Sequence, residues 1–122
     1  MVFTTSSSRA LTVWVALDPV TPENGPVHYL PGSHTQGVLP HVASGVAGNS
    51  MGLRDPVPRE QCRPWLLGAG DLLVHHCQTI HYSEPNLSPL PRRSLLLVYR
   101  GASAQADPAL KARYEAARQA RA

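Results

Sequence analysis

"GDLLVHHCQTIHYSEPNLSPLPRRSLLLVYR", residues Gly70 to Arg100, sets three histidines, a cysteine and two arginines between two apolar runs. The flanking runs, Asp71 to Cys77 and Ser94 to Arg100, have the length and leucine and valine content of buried strands. "PNLSPLP" between them is loop. Were the first run to continue through "QTIHYSE", His75, Cys77, Thr79 and His81 would share one face and His76 would take the other. A zinc site from His75, Cys77 and His81 finds no support in this spacing, since no C-x-x-C or H-E-x-x-H pattern accompanies it.

Working outward, "ALTVWVALD" (Ala10 to Asp18) reads as a further buried strand, stopped by "PVTPENGP" with its Asn24-Gly25 turn. "VHYLPGSH" follows as a short strand from Val27 to Leu30 ending in a Pro-Gly turn. From Thr35 to Pro64 no period persists, which predicts a long functional or mobile loop. Strands resume over Trp65 to Leu67 and, after Gly-Ala-Gly, at Asp71. The tail "DPALKARYEAARQARA" differs in kind. Asp107 is a fair N-cap, Pro108 suits the first helical position, and Leu110, Tyr114 and Ala117 share a face, so residues 106–121 are read as a short amphipathic helix. Twelve prolines and nine glycines in 122 residues punctuate short runs and favour an all-β chain, one domain over residues 1–122.

The net charge of +3 does not mark a nucleic-acid binder, because Lys111, Arg113, Arg118 and Arg121 against Asp107 and Glu115 place +2 of it in the tail. Cys62 and Cys77 are too few for a disulfide framework. No basic-then-apolar leader opens the chain and no apolar run reaches spanning length, so a soluble cytoplasmic protein that binds neither membrane nor nucleic acid is expected.

Taken together, "LTVWVALDPVTPENGPVHYLPGSHTQG" and "GAGDLLVHHCQTIHYSEPNLSPLPRRSLLLVYR" resemble the phytanoyl-CoA dioxygenase family of Fe(II)- and 2-oxoglutarate-dependent oxygenases. The shared features are an apolar strand leading to an E-N-G turn, a P-G-S-H turn, and G-D before a strand. H-x-S, an Asn and an Arg then precede the last strand. The resemblance covers residues 10–100 and implies a double-stranded β-helix, the jelly-roll of the cupins. It implies that His81, in H-x-S, is an iron ligand, that Arg92 holds the distal carboxylate of 2-oxoglutarate, and that Ser83 adds a hydroxyl to the same cosubstrate. Arg93, His76 and His34 form a second rank: Arg93 as the neighbour of Arg92, His76 in a supporting role, His34 either structural or at the mouth of the site.

The family's other iron ligands form an H-x-D or H-x-E that precedes the strand matched by "LTVWVALD". No histidine here is followed two positions later by Asp or Glu. The likeness is thus to the C-terminal portion of the family. The implied activity is hydroxylation of a small organic substrate with decarboxylation of 2-oxoglutarate, on a site lacking its first half. The alternative is a catalytically inactive jelly-roll binding module or remnant. An incomplete barrel should also carry an open sheet edge, which favours self-association.

Overall fold

The structure, a computed structural model, describes residues 9–46 and 49–119. Its strands in chain order are β1 (Ala10–Ala16), β2 (Val27–Tyr29), β3 (His41–Val46), β4 (Asn49–Leu53), β5 (Arg63–Pro64), β6 (Leu72–His76), β7 (His81–Ser83) and β8 (Ser94–Arg100), followed by one helix, α1 (Pro108–Gln119). β1 lies between β6 and β8 in a first antiparallel sheet, β2 between β5 and β7 in a second, and β3–β4 form a hairpin. The chain is therefore mostly β with one C-terminal helix, as its composition predicts.

Strict alternation makes β1 the hub. Ala10, Thr12, Trp14 and Ala16 are buried, while Leu11 on the opposite face is exposed. Trp14, Ala16 and Val20 form the core, with Leu67 and Leu73 packed against them. The second sheet faces this one through Tyr29, whose ring meets His75 of β6 at 5.1 Å between centroids.

The E-N-G turn needs its glycine twice over. Gly25 has φ of +75°, and a Cβ there would sit 2.6 Å from the Glu84 carbonyl oxygen. Asn24, fully buried, accepts from the Thr21 N–H at 2.8 Å and donates to the Pro19 carbonyl at 2.8 Å.

Two expectations change. The segment Thr35 to Pro64 is not a structureless loop, since it contains the β3–β4 hairpin on which α1 packs. A register shift between Ala43 and Val46, with Gly45 at φ +71°, breaks the period that would have marked these strands. The strand expected over Trp65 to Leu67 pairs earlier, at Arg63–Pro64, and Leu67 makes a single bridge to Val20. Pro64 is tolerated because β5 is an edge strand. The segment "QTIHYSE", which could either continue the strand or re-enter, re-enters: the chain leaves β6 after His76, turns, and joins the other sheet as β7, so His75 and His81 are not on one strand.

α1 begins as read. Asp107 Oδ1 accepts from the Ala109 and Leu110 N–H groups at 2.9 and 3.1 Å. Leu110, Tyr114 and Ala117 are its half-buried positions. The helix runs to Gln119; residues 120 and 121 of the expected span lie outside the described residues. Both cysteines are free thiols, and among the described residues no helix is long and apolar enough to cross a membrane.

Candidate active site

His81 opens β7 directly opposite Tyr29 of β2. Alternation in the two short strands sorts their side chains. His28 and Tyr82 stack at 4.9 Å on one face, with Arg59 over the Tyr82 ring at 4.6 Å. Tyr29 and His81 meet at 5.6 Å on the other, the face that Ser83 shares with His81. The segment before His81 is tied to the P-G-S-H turn. Ser33, 1% exposed, donates to the Leu30 carbonyl at 2.7 Å and accepts from the Ile80 N–H at 2.9 Å. The Leu30 N–H also donates to the Ile80 carbonyl at 2.9 Å. Ser33 thus does more than form a turn, for it fixes where β7 starts.

The protonation pattern of His81 suits a metal ligand. Its Nδ1 lies 2.8 Å from the Thr79 carbonyl, which can only accept, so in the neutral ring the proton is on Nδ1 and the lone pair on Nε2. His75 is held similarly, Nδ1 to the His76 carbonyl at 3.2 Å, and its ring lies 5.1 Å from that of His81. Burial pushes the His75 imidazole below its usual range against the opposing hydrogen bond to the His76 carbonyl, and the neighbouring His81 and His76 rings push the same way as burial.

Arg92 is positioned by its neighbours. The Asp18 carboxylate takes the Arg93 backbone N–H at 2.8 Å and both Nε and a terminal nitrogen of its guanidinium, at 2.9 and 2.8 Å. The side-chain and backbone hydrogen bonds from Arg93 hold the Asp18 carboxyl at about 2. The Leu17 N–H binds the Arg93 carbonyl at 3.0 Å, so the start of β8 is clamped to the end of β1. Arg93 is therefore engaged by Asp18. Arg92, half-buried, lies with its guanidinium carbon 5.8 Å from the centre of the Trp14 ring. Its charge also reaches the phenol of Tyr29. Asn86 shapes the loop between, donating to the Leu90 carbonyl at 2.7 Å and accepting from the Ser88 N–H at 2.9 Å.

One neighbourhood thus joins Trp14, Tyr29, His75, His81 and Arg92. His76 and His34 form a separate pair, rings 5.6 Å apart, with His76 Nδ1 accepting from the Gln78 N–H at 3.1 Å. The joining role of Tyr29 and the supporting roles of Asp18 and Ser33 have no signal in the sequence beyond strand alternation for Tyr29. Among the described residues no group of three or more His, Cys, Asp or Glu side chains is placed to hold a metal ion. His81 alone offers one imidazole where a facial iron site uses two histidines and a carboxylate, so the described residues do not complete such a site, while the Arg92 guanidinium has the planar fork that suits a carboxylate.

Imidazole, guanidinium and aromatic rings thus gather where the two antiparallel sheets meet, with His81 on the exposed side. The model of the phytanoyl-CoA dioxygenase family matches residues 1–94, and the chain belongs to that family. The chain is 34% identical over 99 residues to the phytanoyl-CoA dioxygenase domain-containing protein 1 of Bos taurus, covering 75% of this chain and 33% of that protein. It is 33% identical over 115 residues to ectoine dioxygenase of Bordetella parapertussis, covering 84% and 37%. The crystal structure of the epimerase SnoN in complex with Fe3+, alpha ketoglutarate and nogalamycin RO superposes with a TM-score of 0.64 at 33% identity, covering 87% of this chain and 41% of that one. The chain spans about a third of the length of the curated relatives it matches.

Proposed function

We propose that this chain forms the cosubstrate-holding portion of a non-haem Fe(II)/2-oxoglutarate-dependent dioxygenase that hydroxylates a small organic substrate, built on part of a double-stranded β-helix. The observation that carries this reading is a run of ring contacts: Tyr29 lies against His81 at 5.6 Å, Tyr29 and Trp14 line one cleft, and the Arg92 guanidinium lies over Trp14 at 5.8 Å. The ligand imidazole and the carboxylate-binding cation are thereby linked through two neighbouring aromatic rings.

In this reading His81 offers Nε2 to iron while Thr79 holds the ring by its other nitrogen. Arg92 binds the distal carboxylate of 2-oxoglutarate through its planar fork, and Ser83, on the face of His81, adds a hydroxyl. Bound Fe(II) supplies the activation of dioxygen that is coupled to decarboxylation of the cosubstrate. The protein's share is placement. Asp18 and Arg93 fix the backbone that carries Arg92, and Ser33 fixes the backbone that carries His81. His34 and His76 support the end of β6. Self-association through the open edges of β6 and β8 is part of the same proposal.

Direct binding of 2-oxoglutarate tests it. Arg92→Ala is expected to weaken binding at least about tenfold, and Arg92→Lys to restore only part, because an ammonium lacks the paired donors. Equal affinity in wild type and Arg92→Ala sinks the assignment. His81→Ala is expected to abolish Fe(II) binding by the chain, and unchanged iron content refutes that role.

A second reading, a jelly-roll module that binds a small carboxylate without turnover, is favoured by the lack of any H-x-D or H-x-E in this sequence. The two part once a portion carrying the H-x-D or H-x-E ligands is supplied: the oxygenase reading expects succinate from 2-oxoglutarate with Fe(II) and oxygen, whereas the module binds the cosubstrate and releases none.

A further inference from the structure

Tyr29 is 5% exposed, and its phenol has no hydrogen-bond partner among the described residues. Buried hydroxyls are nearly always paired, so one left alone in the interior is a mark of something it is meant to meet. Its surroundings narrow what that is. The ring packs against two imidazoles that also touch each other, with centroids 5.1 Å from His75 and 5.6 Å from His81. Tyr29 and Trp14 line the same apolar cleft with Val27, Leu67 and Leu73, and Trp14 carries Arg92.

Resting on the function proposed above, we infer that the Tyr29 hydroxyl is a further cosubstrate-binding group, donating a hydrogen bond to the same distal carboxylate that Arg92 holds and so selecting a dicarboxylate 2-oxo acid over a monocarboxylate one. The chemistry suits the position. A phenol inside an apolar wall offers one donor without a second charge, and an anion held by Arg92 is the acceptor that such a donor favours. A phenol is protonated at neutral pH, so it is a donor in the working range. The stacked His81 and the tilted His75 limit the rotation of the ring.

The test is ligand-observed NMR on the full chain without metal, titrating 2-oxoglutarate and, as the probe lacking a distal carboxylate, 2-oxobutyrate. Tyr29→Phe keeps the ring and its stacking and removes the hydroxyl alone. Wild type is expected to prefer 2-oxoglutarate, and Tyr29→Phe to lose about ten- to a hundredfold of that affinity while 2-oxobutyrate binding stays unchanged. Should Tyr29→Phe bind 2-oxoglutarate as wild type does while Arg92→Ala does not, the inference fails and the functional reading stands. Should wild type show no preference between the two acids, both fall. A near-ultraviolet circular dichroism spectrum of Tyr29→Phe matching wild type outside the tyrosine band establishes that the fold is kept.

Discussion

Asp18 touches no part of the proposed chemistry, yet it decides where Arg92 sits. Its carboxylate absorbs the Arg93 guanidinium and the Arg93 N–H, which leaves the preceding arginine over Trp14. With its carboxyl held at about 2 in the folded chain against about 3.9 when unfolded, the pair's contribution to stability is fully present above about pH 4. That contribution fades as the pH falls toward 2. Urea unfolding midpoints of Asp18→Asn are expected to lose this acid-range slope relative to wild type. Identical slopes would mean that the clamp is absent in solution. Gly25 makes a second point at this scale: positive φ and a carbonyl in the path of any Cβ act together. Gly25→Ala is expected to cost about 1–3 kcal/mol, read as a lowered denaturant midpoint.

At the level of elements, β7 is three residues long and cannot place His81 by its own ladder. It borrows order from the P-G-S-H turn through the Ser33 hydroxyl, whose two hydrogen bonds tie Leu30 to Ile80. Removing it leaves the part-buried Ile80 N–H without its acceptor. Ser33→Ala is therefore expected to destabilise the chain by about 1–3 kcal/mol, and the amide of Ile80 should exchange faster with solvent. Unaltered exchange at Ile80 would count against this coupling. The helix shows the opposite case. Asp107, Pro108 and the apolar face of Leu110, Tyr114 and Ala117 were readable because capping and period are local properties. The β3–β4 hairpin was not readable, because a bulge erased its period and its stability comes from α1 packed on it.

For the whole molecule, the first sheet leaves one side bare. Leu72 is 60% exposed, Tyr99 55% and Val74 51%, and Leu11, Leu95 and Leu97 extend the same face. Together they present on the order of 500 Å² of apolar surface, at the upper end for a monomer. Leu96, on the face of Trp14, is also 54% exposed, so the interior is open along β8. Sedimentation velocity is expected to show association that grows with concentration, reduced by Val74→Lys combined with Leu97→Lys. A monomer at all concentrations would remove self-association from the proposal.

The β-rich class, the turns at Asn24-Gly25 and Pro31-Gly32, the terminal helix and the family are all legible in the amino-acid sequence, and the motif resemblance nominates His81 and Arg92 for the proposed site. Each of these rests on local chemistry: φ preference, strand alternation, capping, and motif spacing along the chain. It is the long-range contacts that show Asp18 taking Arg93, Ser33 anchoring the approach to His81, and Tyr29 and Trp14 standing between His81 and Arg92. Asp18 and Arg93 are 75 residues apart, and Ser33 and Ile80 are 47. Contacts at such separations are set by how sheets register and face one another, which no local pattern encodes.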